Sequence, residues 1–287
     1  LGDVYKRQVC EGGGMKCAYG AGVLDKFYDD HISFDYCVGV SAGSANLASY
    51  LAGQRGRNYR FYTKWLKDPE FYGKKAFLHS GDLFGLEYIY GTLTNSDGKD
   101  PIDYSAIQKN PAQFELVATK AVSGQPVYLD KSIMKQDDYR AIMASSAIPA
   151  ACHPIKINGQ AYYDGGVSDA LPCKRALEQG CDKLVVITSK PRDFQKEPEA
   201  HKKLYTLMCH KYPKIVEALD HRHEMYAQQQ AFLYQLEKAG KAFIFAPSYH
   251  LPTATTDLSI RHNDHLYNLG LYDYEKQRKA LYEFMAR

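Results

Sequence analysis

The sequence contains one pattern that is typical of a serine nucleophile, the pentapeptide GVSAG at residues 39–43. It precedes a helix-like run at 45–52, so the serine lies at a strand-to-helix turn of the kind called a nucleophile elbow. Such a turn leaves no room for a β-carbon two positions before or after the serine, and backbone strain holds the hydroxyl out of the fold. We therefore predict that Ser41 is a nucleophile and that the elbow requires Gly39 and Gly43.

Attack by a serine on an ester also needs hydrogen-bond donors for the oxyanion, and a glycine triplet can supply them. Gly12, Gly13 and Gly14 lie between a short apolar segment at 9–10 and a helical pattern. Because glycine has no side chain, the backbone N–H groups of such a loop are open to an anion. Lys16 adds positive charge close by, so we predict that this loop and Lys16 form the oxyanion hole.

A glycine-rich loop can also bind a nucleotide, but two requirements of nucleotide-binding loops are missing. The dinucleotide fingerprint needs a third glycine three residues after Gly14, where the chain has Cys17. No acidic residue follows the second predicted strand at the right distance, and the Gly-Lys-Ser/Thr of the phosphate loop is absent. The sequence therefore predicts neither a nucleotide nor any other cofactor.

The base that would activate the serine is less obvious from the residues alone. Asp164 ends a predicted hairpin strand, and Gly165 and Gly166 follow at once, which allows a sharp turn and close backbone approach. In α/β-hydrolases several strands precede the elbow and the triad runs Ser, Asp, His, whereas here a single strand precedes Ser41. Both Asp164 and a histidine remain candidates at this point. The histidines late in the chain lie mostly in polar, helical context: His201, His210, His221, His223, His250, His262 and His265.

The elements that must position these residues alternate between strands and helices, which predicts an α/β domain with a mostly parallel sheet. An irregular, basic and aromatic stretch at 54–100 is predicted to cap the site with short helices and loops. Predicted strands are 9–10, 34–40, 114–121, 126–129, 155–157, 160–163, 183–188 and 242–246, and predicted helices are 15–30, 42–53, 137–147, 173–179, 201–238 with a break at 213, and 262–285.

Composition excludes several classes of protein. A net charge of +3 over 287 residues is too small to favour nucleic acid as a partner. Seven cysteines at irregular spacing, with no CxxC pair, indicate reduced thiols and a cytoplasmic location, and no metal site. No apolar run approaches the ~18 residues needed to span a bilayer. Residues 1–8 are polar and mixed where a buried strand is expected, so we predict a non-native or truncated start there.

The glycine loop, the Gly-x-Ser-x-Gly elbow and Asp-Gly-Gly occur in this order, and ASSAIP stands at 144–149. Together these motifs resemble the patatin-like phospholipase family, and most of all its bacterial branch with Gly-Gly-Gly-Met-Lys. The resemblance covers about 9–190 and is weaker around 267–270. It implies a three-layer α/β/α fold with a mostly parallel central sheet. It also implies a catalytic core at 9–190 and a C-terminal helical extension with one further strand at 191–287.

The resemblance implies roles for individual residues. Ser41 would be the nucleophile and Asp164 the base, a dyad without histidine and without metal, acting on lipid or fatty-acyl esters. Peripheral contact with a membrane would suit such a substrate, and the aromatic and basic stretch at 54–90 would face its acyl chain and anionic head group. Cys17 stands where many family members have glycine, and it would be strained there if φ were positive. Two alternatives stay open: a Ser-His-Asp carboxylesterase acting on soluble esters, and a non-catalytic lipid-binding protein of the same fold.

Overall fold

A computed structural model describes residues 6–180, 182–252 and 254–286 of the chain. Their strands form one eight-stranded sheet in the order β5-β6-β3-β2-β1-β7-β8, and β4 also pairs with β3. The strands are β1 (Lys6–Cys10), β2 (Tyr36–Val40), β3 (Gln113–Lys120), β4 (Pro126–Asp130), β5 (Ile155–Ile157), β6 (Gln160–Asp164), β7 (Lys183–Ile187) and β8 (Ala242–Phe245). The α-helices are α1 (Ala18–Asp29), α2 (Ala42–Leu51), α3 (Arg57–Tyr62), α4 (Lys74–Ser80), α5 (Tyr104–Lys109), α6 (Arg140–Ser146), α7 (Cys173–Glu178), α8 (Lys202–Met208), α9 (Pro213–Asp220), α10 (Arg222–Lys238) and α11 (Ile260–Ala286).

Five consecutive strands, β3, β2, β1, β7 and β8, run parallel, whereas β4, β5 and β6 are antiparallel to their neighbours. The prediction of an α/β fold with a mostly parallel sheet is therefore confirmed. β1 begins at Lys6, so the backbone of residues 6–8 pairs with β2 and β7 although a non-native or truncated start was predicted over 1–8. Residues 1–5 lie outside the described residues, and the origin of the segment stays a prediction.

Helices cover both faces of the sheet and bury two cores. α1, α2 and α11 pack on one face, and α7 and α10 pack on the other. The pair α1 and α11 approaches very closely. A β-carbon added at Gly22 would lie 2.2 Å from the carbonyl oxygen of Tyr267, and one added at Gly270 would lie 2.1 Å from that of Tyr19. Two glycines, one on each helix, therefore set the distance between the helix that follows the glycine loop and the C-terminal helix.

The strand register explains how two residues far apart in sequence meet. Val40, the last residue of β2, lies opposite Val117 of β3, and β3 continues for three more residues. β6 returns antiparallel along this extension and places Asp164 opposite Ala118, one position beyond Val117. Asp164 therefore reaches the level at which β2 ends and Ser41 follows.

Two helical predictions differ from the structure for identifiable reasons. The helix predicted at 137–147 begins only at Arg140, because Asp137 adopts φ +61° and its carboxylate accepts hydrogen bonds from Ser96. The region 201–238 forms three helices, and Pro213 begins the second of them as expected, since proline suits the first helical turn. The cap at 54–100 does consist of short helices and loops, as predicted.

None of the helices in the described part of the chain has the length and apolar character needed to cross a bilayer. Six cysteines, at positions 10, 17, 37, 152, 173 and 209, are buried free thiols, and Cys181 lies outside the described residues.

Candidate active site

The backbone at Ser41 has the strained conformation expected of an elbow. Its φ of 55° and ψ of −130° are unusual for a residue with a side chain, and Ser41 begins α2 at the end of β2. A β-carbon at Gly39 would lie 2.6 Å from Cα of Ser44, and one at Gly43 would lie 2.7 Å from the carbonyl oxygens of Cys10 and Glu11. The steric reason for both glycines is therefore present in the structure.

A buried serine from α6 fixes the elbow to the sheet. The N–H of Ser41 donates to Oγ of Ser145 at 2.9 Å, and Oγ of Ser145 donates to the carbonyl of Val117 at 2.6 Å. The hydroxyl of Ser44 contacts the same oxygen at 2.9 Å. Ser145 belongs to the ASSAIP stretch, but sequence reasoning assigned it no role. The only signal in the sequence was that Ser145 lies within this motif, on a predicted helix.

Asp164 lies beside Ser41 and is fully buried. Burial raises the pKa of its carboxyl group, while a hydrogen bond from the Ser41 hydroxyl, the charge of Arg222 and the N–H of Gly166 act to lower it. The Gly166 N–H donates to Oδ1 of Asp164 at 2.7 Å, and a β-carbon at Gly165 would lie 2.2 Å from the carbonyl of Val117. The structure thus brings the predicted nucleophile and base into contact, and the two glycines allow the turn that does so.

The glycine loop packs directly on the elbow. A β-carbon at Gly12 would lie 2.9 Å from Cβ of Ser41, so only glycine fits there. Within residues 6–180, 182–252 and 254–286, the N–H groups of Gly12, Gly13 and Gly14 donate to no protein acceptor. The N–H of Ala42, directly after the serine, is likewise unpaired within the same ranges. These amides are available to an oxyanion at Ser41, although the sequence analysis did not name Ala42.

Lys16 and Cys17 behave differently from the glycines before them. The ammonium of Lys16 lies over the ring of Phe194 at 5.6 Å and outside the cavity that contains Ser41. Burial and the neighbouring Lys190 lower the pKa of Lys16. Cys17 has φ −70° and is unstrained, so its departure from glycine is harmless. A direct contact between Lys16 and an oxyanion stays a prediction without support from this geometry.

Among the described residues, no histidine lines the cavity around Ser41. Most histidines have partners elsewhere: His250 contacts Asp193 at 2.8 Å, and Nδ1 of His262 contacts Asp257 at 2.7 Å. His265 contacts the hydroxyl of Tyr249 at 2.8 Å. The geometry therefore offers the Ser-His-Asp alternative no imidazole near the elbow. No group of metal-ligating side chains occurs in the described ranges either.

Ser41 and Asp164 open into a cavity of about 300 Å³ with two unlike sides. One side, which we call the apolar wall, is made by the cap and by the loop after α6. An apolar surface of this kind suits a hydrocarbon chain, because burying each methylene there is favourable by about 0.8 kcal/mol. The apolar wall consists of Tyr72, Phe84, Ile148, Pro149 and Ala151.

A second part of the lining, which we call the basic wall, carries Lys190, Lys196 and Arg222, together with Glu11 and Glu199. Lys190 pairs with the buried Glu11, which also accepts a hydrogen bond from Tyr226 at 2.8 Å. Lys196 and Arg222 share the carboxylate of Glu199 at 2.8 and 3.0 Å. Burial and the charge of Arg222 lower the pKa of Lys196, while Arg222 and Lys196 hold that of Glu199 low against the effect of burial. Because the single carboxylate of Glu199 balances only one of these two cations, a positive charge remains for an anionic ligand.

The positions of these cations correct one expectation from the sequence. The basic residues of the cap were expected to face an anionic group, but they pair inside the protein instead. Arg55 binds Asp29, Arg60 binds Asp100, and the buried Arg57 donates to the carbonyl of Asp100. The cations of the cavity come from beyond residue 189. Lys190 could have been anticipated, because it lies three residues after the end of β7, at the edge where parallel strands present ligand sites.

Comparison with known proteins identifies two protein families in this chain. A family model described as "Patatin-like phospholipase" matches residues 9–177, and one described as "Domain of unknown function (DUF6363)" matches residues 212–286. The uncharacterized protein YjjU of Escherichia coli (strain K12) is 30% identical over 241 residues, which are 78% of this chain and 63% of YjjU. This chain therefore spans less than two thirds of that relative.

The crystal structure of VipD from Legionella pneumophila aligns over 96% of this chain and 67% of VipD, with 11% identity and a TM-score of 0.44. The family match over residues 9–177 covers more than half of the chain and confirms the resemblance deduced from the motifs. The sequence therefore belongs to the patatin-like phospholipase family.

Proposed function

We propose that this protein hydrolyses ester bonds of lipids through a Ser41–Asp164 dyad and a covalent acyl-enzyme. One observation carries the proposal: the buried Ser41 and Asp164 line the same cavity, where no described histidine lies. A serine hydroxyl needs such a base, because it is a weak nucleophile at its own pKa.

In the first step Oγ of Ser41 bonds to the ester carbonyl carbon and its proton moves to Asp164. The carbonyl oxygen becomes an oxyanion, held by the unpaired N–H groups of Gly12, Gly13 and Ala42. When the intermediate collapses, the proton passes to the departing alcohol and the acyl group stays on Ser41. Water then attacks the carbonyl carbon of the acyl-enzyme and gives a proton to Asp164. When this second intermediate collapses, the bond to Oγ of Ser41 breaks, the proton returns from Asp164 to Oγ, and the fatty acid is released.

Burial of Asp164 assists this chemistry. An ordinary aspartate, with a pKa of 3.8, is a weak base near neutral pH, and burial raises that pKa toward the working range. The oxyanion donors supply the larger part of the rate, since each is worth about 3 kcal/mol, or roughly 100-fold, in related sites. Their geometry is set by glycines that exclude any larger residue.

The two walls support a substrate with an acyl chain and an anionic group, which is the chemistry of a phospholipid. The chain would lie on the apolar wall, and a phosphate would bind the positive charge that Lys196 and Arg222 leave near Glu199. We propose a cytoplasmic location with peripheral access to membranes, and the six free thiols fit a reducing compartment.

The experiment compares Ser41→Ala, Asp164→Asn and His265→Ala with the parent protein on a phosphatidylglycerol and on a p-nitrophenyl ester. We expect the first two to lose at least about 1,000-fold in kcat/KM, to keep the parent's circular dichroism, and to melt no lower than the parent. His265→Ala should retain activity. A fluorophosphonate probe should label the parent and not Ser41→Ala. Full activity in folded Asp164→Asn would refute the dyad, and absence of labelling in the parent would favour the non-catalytic alternative.

A further inference from the structure

Two short helices beside the cavity carry large apolar side chains into solvent. On α4, Phe77 is exposed and Leu78 exposes 75% of its surface. On α8, Leu204 and Met208 are exposed and Leu207 exposes 68%. Exposed leucines on successive turns of a helix are not explained by packing in the described fold. Such a cluster indicates contact with another apolar surface.

One loop joins both helices to the mouth of the cavity. The N–H of Leu83, just after α4, donates to the carbonyl of Ala151 at 2.8 Å. On the other side, Ala150 packs against the apolar cluster that contains Tyr205 of α8 and Cys209, just after α8. The loop at 148–151 itself contributes to the apolar wall. The loop that contributes to the apolar wall therefore contacts the chain beside both α4 and α8.

Lysines accompany the apolar side chains on both helices. Lys74 and Lys75 begin α4, and Lys202 and Lys203 begin α8, all four being exposed. Lys75 pairs with Glu70 and Lys202 with Asp220, whereas Lys74 and Lys203 form no ion pair in the described part of the chain. Leucines that insert into the acyl region, beside lysines that meet anionic headgroups, are the composition of interfacial helices.

We propose that α4 and α8 form a docking surface for an anionic lipid bilayer, made of Phe77, Leu78, Leu204, Leu207 and Met208 with Lys74, Lys75, Lys202 and Lys203. The proposal rests on the proposed function in that the bilayer supplies the substrate to the cavity. Charge distinguishes the bilayer from a second copy of this chain, because a symmetric contact would bring lysines against lysines. The bilayer is contacted by side chains of two peripheral helices, and no helix needs to cross it.

The test measures binding rather than hydrolysis, in a Ser41→Ala background that leaves vesicles intact. Vesicles of phosphatidylglycerol and phosphatidylcholine are sedimented with this protein, and phosphatidylcholine vesicles and high salt serve as comparisons. The variant Leu78→Asp/Leu207→Asp changes two highly exposed positions. Tyr272→Asp on α11, where Tyr272 is 55% exposed, makes the same kind of change away from the docking surface.

We expect the double variant to bind anionic vesicles at least about tenfold more weakly and Tyr272→Asp to bind within about twofold of the parent. Binding should fall in high salt and on phosphatidylcholine alone. Lys74→Glu/Lys203→Glu, which leaves the apolar residues in place, should weaken binding to anionic vesicles too, and it tests the proposal if the first double variant misfolds. Unchanged binding in both double variants would overturn the docking surface.

Two further outcomes are distinguishable. If the parent hydrolyses the soluble p-nitrophenyl ester but Ser41→Ala ignores every vesicle, the docking surface is wrong and the proposed function stands. If the parent shows no esterase activity but vesicle binding depends on the docking surface, the function is wrong and the docking surface stands. A change from dimer to monomer on gel filtration in Leu78→Asp/Leu207→Asp would assign the surface to self-association and overturn the proposal.

Discussion

The elbow at 39–43 and the basic wall both contribute to the lining of one cavity, but they are built in opposite ways. The elbow is held by contacts between backbone atoms, in which a β-carbon at Gly43 would come within 2.7 Å of the carbonyl oxygens of β1 and the residue after it. The basic wall is held by long side chains from residues 190–222, in which Lys196 and Arg222 share Glu199. The first construction allows one residue type at each position, and the second allows many.

This difference has an energetic counterpart. Backbone clashes in a packed core cannot relax cheaply, so changes at the elbow should cost both stability and geometry. Ion pairs with partly exposed members contribute little to stability, so changes in the basic wall should alter ligand binding and leave the fold intact. Variants of the two regions should therefore separate into two classes, and the following predictions test that separation.

The largest effect is expected from Gly43→Ala. Its new methyl group would push α2 away from the end of β1, so we expect a loss of about 1–3 kcal/mol in the free energy of unfolding. Because displacement of a nucleophile by about 1 Å can cost 100-fold in rate, kcat should fall by at least that factor. Gly91→Ala is the matched control, since its β-carbon would lie 3.7 Å from the nearest atom. Normal activity in Gly43→Ala would contradict the steric account.

Ser145→Ala should have the next largest effect, although its hydroxyl does not touch the substrate. The change leaves the Ser41 N–H and the Val117 carbonyl without their partner, which costs about 1–3 kcal/mol for buried groups. We expect kcat to fall roughly tenfold with KM unchanged, since the elbow is less firmly positioned. Ser146→Ala is the neighbouring control, because its buried hydroxyl makes no hydrogen bond to the elbow or to Val117 in the described part of the chain. A rise in KM alone would exclude a positioning role.

Lys196→Gln should change specificity rather than rate in general. Loss of one charge-assisted hydrogen bond, about 1.4 kcal/mol, corresponds to a tenfold fall in kcat/KM for an anionic phospholipid relative to a neutral ester. The melting temperature should stay the same, and the exposed Lys156→Gln on β5 should leave the ratio unaltered. An unchanged ratio in Lys196→Gln would mean that the basic wall does not bind the anionic group.

The smallest effect concerns stability against pH. Burial raises the pKa of Asp164, so the folded protein binds this proton more tightly than the unfolded chain does. The stability that the protonated carboxyl group contributes is therefore fully present below the ordinary pKa of 3.8 and is lost as the pH rises through the raised pKa. Asp164→Asn carries no charge, so it should melt above the parent at neutral pH, with a difference that shrinks in acid. As the pH is lowered, the parent's kcat/KM should fall with a midpoint above pH 3.8, because Asp164 must be deprotonated to act as the base. A variant that melts lower at neutral pH would argue against a strained carboxylate.

The sequence predicted the elbow, the order of the motifs and the parallel sheet, because each depends on local rules of turn and strand. It also predicted the hairpin around Asn158-Gly159, where the structure has β5 and β6. Ser145 and the basic wall were missed, because their importance arises only when helices and loops meet in space. The start of α6 was misplaced, since a hydrogen bond from Ser96 to Asp137 competes with the helix.

The close contact between α1 and α11 has a consequence for synthesis of the protein. Glycines at 22 and 270 bring the two helices together, and the N–H of Met15, beside the glycine loop, donates to the carbonyl of Thr255 at 3.0 Å. A ribosome therefore makes the nucleophile more than two hundred residues before the segment that supports its oxyanion loop. Domains generally begin to fold from their first residues as they emerge. The hydrolytic machinery should thus stay incomplete until residues beyond 270 have left the exit tunnel.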